Sequence, residues 1–516
     1  MRRPPVLIAA LSVAALGLTA CGGDSGGSSG SGSAAGAGGD LVIVRPADST
    51  NLDLTMVHDN DSIWVGQQMM ESLYEVTSDG KDVQPLLAES YELSDDQLTY
   101  TFKLKEGVTF SDGSEMTSED VKFSIDEASG TDGGWEFLNV AIESTEAPDP
   151  TTFVVKTKYP WAPLLADLAN FSNSIVPSDW GGKTKEEFYE APVGTGPFVW
   201  DHWDRGSELQ LVKNPDYWDG APALDSVTWK VVGDDNARTL QLQGGQAHIN
   251  QSPPFSSIEQ LEGQEGVSVE LFPSTKTDYI MMNQNEKPYD DVHVRRAISY
   301  AIDREAIVDT VLFGNGDPGN SLMMPSVPFY DAETPGQQYD MAKAKEEMAL
   351  SSVPDGFDTT FLASSGDVAD AGIAQILQAS LKELGINMQI ENLDPSAAQE
   401  AQQTLKYQIT HSYWTMDIAD PDELVSFAVD PEAGAESFFT AYNNPEVVTN
   451  ARNAAKTFDE AERQRLYSEV QRLAAEDAFL PTLFYSPFSY SVSSKVDGFQ
   501  VYPTGNYHME DVTLSE

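Results

Sequence analysis

Apolar positions repeat with two different periods along this chain. In the first half the period is two. Leu98, Tyr100, Phe102 and Leu104 alternate with Thr99, Thr101, Lys103 and Lys105. That pattern predicts a half-buried strand, because successive strand side chains point to opposite faces. Val227, Trp229 and Val231, alternating with Thr228 and Lys230, predict another. Leu41-Val42-Ile43-Val44 is a continuous apolar run suited to a buried strand. In the second half a helical period takes over. Val294, Ala297, Ile298, Ala301 and Ile302 share one helical face, and Ile307, Val308, Val311 and Leu312 form another that Gly314 ends. Ile373, Ile376, Leu377, Leu381 and Leu384 form a third. Gly385 stops it, and Ile386, Met388 and Ile390 then alternate as a strand. Helix followed at once by strand indicates an α/β fold. Thr117 with Asp120, and Asp459 with Glu462, have the spacing of helix-capping residues. Pro481 closes the helix that follows Asp459, and Leu483-Phe484-Tyr485 is strand-like.

The N-terminus has a different pattern. Arg2 and Arg3 precede an apolar stretch from Val6 to Leu18, then Leu18-Thr19-Ala20-Cys21. The layout is that of a secretory signal over residues 1–20, with an apolar core too short for a stable membrane span. Leu-Thr-Ala-Cys resembles the bacterial lipobox, which implies cleavage before Cys21 and lipid on its sulfur. Cys21 is the only cysteine, so no disulfide can form within the chain and no Cys-based metal site is possible. Residues 21–40 are almost entirely Gly, Ser and Ala and read as a flexible tether. Gly23-Asp24-Ser25-Gly26-Gly27 within it fits G-x-S-x-G. That motif works only on a strained turn of a folded body with His and Asp partners. A secreted serine hydrolase is therefore the alternative from another functional class, and it is not expected.

The folded body has material for sizeable cores: 40% of the 516 residues are apolar. The 82 acidic residues against 30 basic ones give a net charge of −52. This argues against nucleic acid, and against anionic lipid docked through protein charge. The field mildly favours cationic over polyanionic ligands.

Several blocks together resemble the family 5 solute-binding proteins of bacterial ABC importers, the peptide-binding group. Leu87-Ala88-Glu89-Ser90-Tyr91 leads into the run from Leu98 to Phe110, followed by Asp112-Gly113 and Glu119-Asp120-Val121. Val193-Gly194-Thr195-Gly196-Pro197-Phe198, Lys213-Asn214-Pro215-Asp216-Tyr217-Trp218 and the stretch from Asp291 to Arg304 come next, in family order. The resemblance implies an α/β, two-lobe periplasmic-binding-protein-like fold with hinged lobes and an enlarged first lobe. It places residues 41–276 and 482–516 in lobe one and residues 277–481 in lobe two. It implies an extracytoplasmic, lipid-anchored monomer that captures a peptide-like solute and delivers it to ABC permease subunits without chemistry, metal or cofactor. An oligosaccharide, a nickel chelate or an opine-like solute are the alternatives on the same scaffold. Trp64, Trp200, Trp203 and Trp414 are the platforms a sugar would use.

Most of these blocks read as structural. Gly194, Gly196 and Pro197 suit a tight turn with special backbone angles. Tyr217 and Trp218 suit an aromatic plug, and Arg295 and Arg296 are expected to pair with surface carboxylates. For the ligand, Tyr413-Trp414-Thr415-Met416-Asp417 is similar to the family's W-x-x-D stretch, whose aspartate receives a peptide's amino group. Asp417 supplies the charge and acceptor oxygens that a desolvated ammonium needs. The competing reading has Asp417 capping the helix after Pro421 or facing solvent, with Trp414 in the core. Trp414 would add a wall and cation–π attraction. Tyr413, Asp48 and Ser49 are further candidates. No Arg or Lys for a ligand carboxylate is identified. Gly314-Asn315-Gly316-Asp317-Pro318-Gly319 fits G-x-G-x-x-G but follows a helix and contains Pro, so it is expected to be a turn.

Overall fold

The computed structural model describes residues 38–433 and 437–515. The signal segment, Cys21, Ser25 and nearly all of the tether lie outside the described residues.

The run Leu41-Val42-Ile43-Val44 forms strand Asp40–Arg45, parallel to Ser226–Val231 on one side and to Ile249–Gln251 on the other. Around these three a seven-stranded sheet is built, in the order Val267–Phe272, Phe488–Ser493, Ile249–Gln251, Asp40–Arg45, Ser226–Val231, Glu208–Lys213, Phe198–Asp204. Central parallel strands are covered on both faces. This is why Thr228 is as buried as Val227 and Trp229, against the alternation of its sequence. The run at 98–105 becomes Thr99–Leu104 in a separate four-stranded antiparallel sheet, with its apolar positions buried in turn.

A six-stranded sheet organises the second half: Asp317–Pro318, Thr482–Tyr485, Lys276–Met282, Ile409–Thr415, Asp358–Ser364, Asn387–Leu393. Tyr279 and Met281 of its central strand enter one apolar core, and Ile280 and Met282 enter another. Helices therefore cover both faces, and the three stripes predicted at 294–302, 307–312 and 373–384 pack into the second of these cores. Each large sheet thus centres its own lobe.

The chain crosses between the sheets twice, after Phe272 and after Tyr485. The second crossing falls later than expected. Thr482–Tyr485 does not return to the first lobe but pairs with Lys276–Met282 and Asp317–Pro318. The G-x-G-x-x-G stretch is a turn plus this short edge pairing. The two crossings are tied together by Ser274 Oγ donating to the Ser486 carbonyl.

Two structural expectations need correction. A Cβ on Gly194 would stand 2.1 Å from the Met69 carbonyl oxygen, and one on Gly196 2.7 Å from that of Gln68. Neither glycine has a positive φ; the requirement is close backbone approach, not unusual angles. Arg295 and Arg296 do not meet surface carboxylates. Their Nε atoms donate to the carbonyls of Asp477 and Glu476, at 2.9 and 2.6 Å. They cap the C-terminus of helix Glu460–Asp477, where a cation opposes the helix dipole.

Candidate functional site

Strand Ile409–Thr415 ends beside the first crossing, where Thr275 Oγ1 donates to the Met416 carbonyl at 2.7 Å. Asp417 and Ile418 then enter the other lobe. Ile418, 1% exposed, sits in the apolar core under the seven-stranded sheet. Asp417 faces a narrow cavity of about 70 Å³. Among the described residues it is the one contribution from the segment 277–481. The other walls come from the first lobe and the C-terminal stretch, including Gln67, Glu71, Tyr74, Tyr507 and His508.

Asp417 does not cap the helix Asp422–Val429. Asp420 Oδ1 takes the Asp422 N–H, at 3.0 Å. Glu423 reaches back instead and accepts the backbone N–H groups of Asp417 and Ile418 at 2.9 and 3.0 Å. Its other oxygen accepts Trp414 Nε1 at 2.9 Å. One buried side chain therefore fixes both residues of the W-x-x-D stretch. Burial raises the Asp417 carboxyl well above its ordinary range, and the neighbouring Glu423 adds to this. Glu423 itself is pushed up to about 7, chiefly by burial.

Trp414 does not line the cavity with Asp417. Its ring packs 4.9 Å from Phe427 and 5.2 Å from Phe438, and Phe427 in turn meets Phe137 of the first lobe at 5.2 Å. It belongs to an aromatic seam between the lobes. Tyr413 is 54% exposed, with Lys276 Nζ 4.4 Å from its ring centroid. It lies outside the cavity wall.

Asp48 and Ser49 are also placed elsewhere. Asp48 accepts from Trp203 Nε1 (3.1 Å), from the Gly206 N–H (2.6 Å) and from Arg45 Nη2 (3.2 Å). Ser49 Oγ accepts from Arg45 Nη2 at 3.0 Å and donates to the Asp61 carbonyl at 2.8 Å. These groups hold the buried Arg45 and a loop in place.

Residues that sequence reasoning missed surround the seam. Asp167 of the first lobe is 1% exposed. Trp161 Nε1 donates to its Oδ2 at 2.7 Å, while its Oδ1 has no protein partner. It feels the charges of Asp422, Asp420 and Glu423 across the seam, and together with burial these raise its carboxyl. Asp422 is pushed up to about 7 by burial and then by Asp420. One cation, Arg463, answers this group, and it is committed to both oxygens of Asp420 at 2.9 and 2.8 Å. In a chain with 82 acids nothing in the sequence marked Asp167, Asp422 or Glu423. Glu71 was likewise hidden. The Tyr217 hydroxyl and Trp218 Nε1 donate to it at 2.6 and 3.0 Å, so the aromatic plug is a hydrogen-bonded cover over a buried acid.

Comparison with known proteins agrees with this fold. The profile of the bacterial extracellular solute-binding proteins, family 5, matches residues 82–435. The glutathione-binding protein GsiB of Escherichia coli (strain K12) is 30% identical over 485 residues, covering 92% of this chain and 94% of that protein. Among solved structures, the periplasmic binding protein DppA from Helicobacter pylori, in complex with peptide STSA, superposes with a TM-score of 0.83 at 27% identity, over 93% of this chain and 99% of that one. The oligopeptide-binding protein AppA from Bacillus subtilis, in complex with a nonapeptide, gives 0.80 at 25% identity, over 93% and 100%.

Proposed function

From the premise that the chain belongs to the family 5 bacterial extracellular solute-binding proteins, we propose that it captures a peptide-like solute between its lobes and passes it unaltered to an ABC permease. Asp417 carries this reading. It is a carboxylate from one lobe set into the wall of a cavity built by the other, with no ion-pair partner among the described residues. A solute ammonium fits that vacancy of charge. The cavity of about 70 Å³ is far below the few hundred Å³ that a small-molecule site takes up. Capture therefore requires the lobes to part around the crossings at 273–275 and 486–487. We place residues 41–274 and 487–516 in the first lobe and 275–486 in the second. Trp414 serves by holding the seam. The lipid on Cys21 and the tether of residues 21–40 keep the protein, as a monomer, outside the cytoplasm and at the membrane.

The sugar alternative loses support from the tryptophans. Trp64 is 5% exposed and packed against Phe488 and Tyr507. Trp203 donates to Asp48 under Arg205, and Trp414 donates to Glu423. None of these three offers a free platform.

The test is titration calorimetry of short peptides against the full chain and Asp417→Asn. The variant is expected to lose roughly 1.5–3 kcal/mol of affinity, the scale of a hydrogen bond to a charged group. Unchanged affinity removes Asp417 from the site.

A further inference from the structure

Around Asp417 the cavity wall is rich in acceptors and poor in cations. Asp417, Glu75 and Glu510 bring carboxylates to it, and no Lys or Arg is among its described lining residues. Glu71 also lines it, but its two oxygens are taken by Tyr217 and Trp218. The sole basic side chain is His508, which lies between two of the acids. Its Nδ1 is 2.9 Å from Glu510 Oε1, and its Nε2 is 3.8 Å from Glu75 Oε2. These neighbours hold it as an imidazolium and leave it little net field to offer an anion.

Three further polar atoms of this wall have no hydrogen-bond partner in the protein: Gln67 Oε1, the Tyr74 hydroxyl and His508 Nε2. Gln67 Oε1, an acceptor only, is buried without a protein partner. Tyr74 is 3% exposed, and its hydroxyl has no protein partner either. Buried polar groups are ordinarily satisfied, so Gln67 Oε1 calls for an N–H donor, the Tyr74 hydroxyl takes either kind of partner, and the carboxylates, which outnumber the one imidazolium, call for positive charge.

We infer that this cavity selects solutes whose amino-terminal end carries more than one positive charge, and that it rejects solutes with a carboxylate beside that amine. The inference rests on the capture reading above and narrows it. Glutathione is instructive here, because its γ-glutamyl end has a carboxylate on the same carbon as the amine. Bringing that group against Asp417, Glu75 and Glu510, with one pre-neutralised imidazolium to oppose them, sets like charges together at low dielectric. A Lys or Arg side chain at the first position instead meets the two acids that Asp417 leaves over. The overall charge of −52 adds long-range attraction of the same sign.

The experiment is calorimetric titration of the full chain with Lys-Ala, Gln-Ala, Glu-Ala and glutathione at one ionic strength. Lys-Ala is expected to bind at least about tenfold more tightly than Gln-Ala, with Glu-Ala and glutathione weakest. In a Glu75→Gln, Glu510→Gln variant with a native-like melting transition, the ratio of Lys-Ala to Gln-Ala affinity is expected to collapse toward one. If Glu-Ala or glutathione binds the unaltered chain as well as Lys-Ala does, the selectivity is overturned and capture stands. If none of the four binds, capture itself is overturned and the selectivity goes with it. A ratio that survives in the double variant overturns the assignment to these two acids.

Discussion

Asp48 and Asp417 are both half-buried aspartates at the end of a strand, and the fold treats them in opposite ways. Asp48 is surrounded by donors: Trp203, the Gly206 N–H and the fully buried Arg45. Arg45 also spans Ser49 and the Asp61 carbonyl, so both its Nη atoms are answered, and only its Nε lacks a protein partner. Asp417 sits beside Glu423, which together with Asp422 and Asp420 also acts on Asp167, and Arg463 there is spent on Asp420. The first arrangement holds a loop. The second leaves charge unmet at the lobe contact. Between these two half-buried carboxylates the difference is the missing partner, more than the depth.

The largest expected effect comes from damaging the satisfied corner. Arg45→Ala leaves the half-buried Asp48 and Asp61 without their cation and is expected to cost about 3 kcal/mol in chemical denaturation, the low end for breaking a buried pair. Asp417→Asn replaces a carboxyl whose ionised form burial and Glu423 both disfavour, and is expected to leave unliganded stability equal or higher. If the two variants lose similar stability, the contrast between the sites is broken.

The next effect is read from pH. Folded Glu423 and Asp422 hold protons up to about 7, whereas their ordinary values are 4.5 and 3.8. Between those limits the folded chain binds protons that the unfolded chain has released, so this contribution to stability is lost as pH rises from about 4 to 7. A second window lies higher. His411, between Asp370 at 2.6 Å and Asp278 at 3.1 Å, keeps its proton up to about 9, against an ordinary 6.5. Its contribution is complete below 6.5 and lost as pH climbs through 9. Denaturation midpoints across this range should fall in two steps, and Glu423→Gln should shrink the lower step while leaving the upper one unchanged. A lower step that persists undiminished in that variant would assign it to other acids.

What could be read in advance follows the range of the forces involved. Alternation at 98–105 and the stripe at 373–384 depend on one element and its nearest layer, and both became the predicted elements. The cap at Thr117 needs a partner three residues away, and the Thr117 N–H does donate to Asp120 Oδ2 at 2.8 Å. The burial of Thr228 and the sheet that Thr482–Tyr485 joins are decided by strand neighbours far along the chain, which no local pattern carries. The site divides the same way. Asp417 stood out because it sits in a recognisable local stretch. Asp48 has its partners at Trp203 and Gly206, and no local pattern carries that information. Glu423 is an acid among many until the helix places it under Trp414.

The smallest expected effect concerns Tyr413. Period two along Ile409–Thr415 turns Trp414 into the seam and Tyr413 outward, over Lys276. Lys276 Nζ lies 3.6 Å from Asp278, which holds His411. Tyr413 is thus the exposed end of an ion-paired chain within the second lobe. Tyr413→Ala should cost about 0.5–1 kcal/mol of stability, the scale of an exposed cation–π contact, and Tyr413→Phe less, since the ring remains. Peptide affinity should stay within twofold in both. A tenfold loss of affinity with unchanged stability would move Tyr413 from this chain into the binding surface, and the line between satisfied and unsatisfied groups would then have to be redrawn around it.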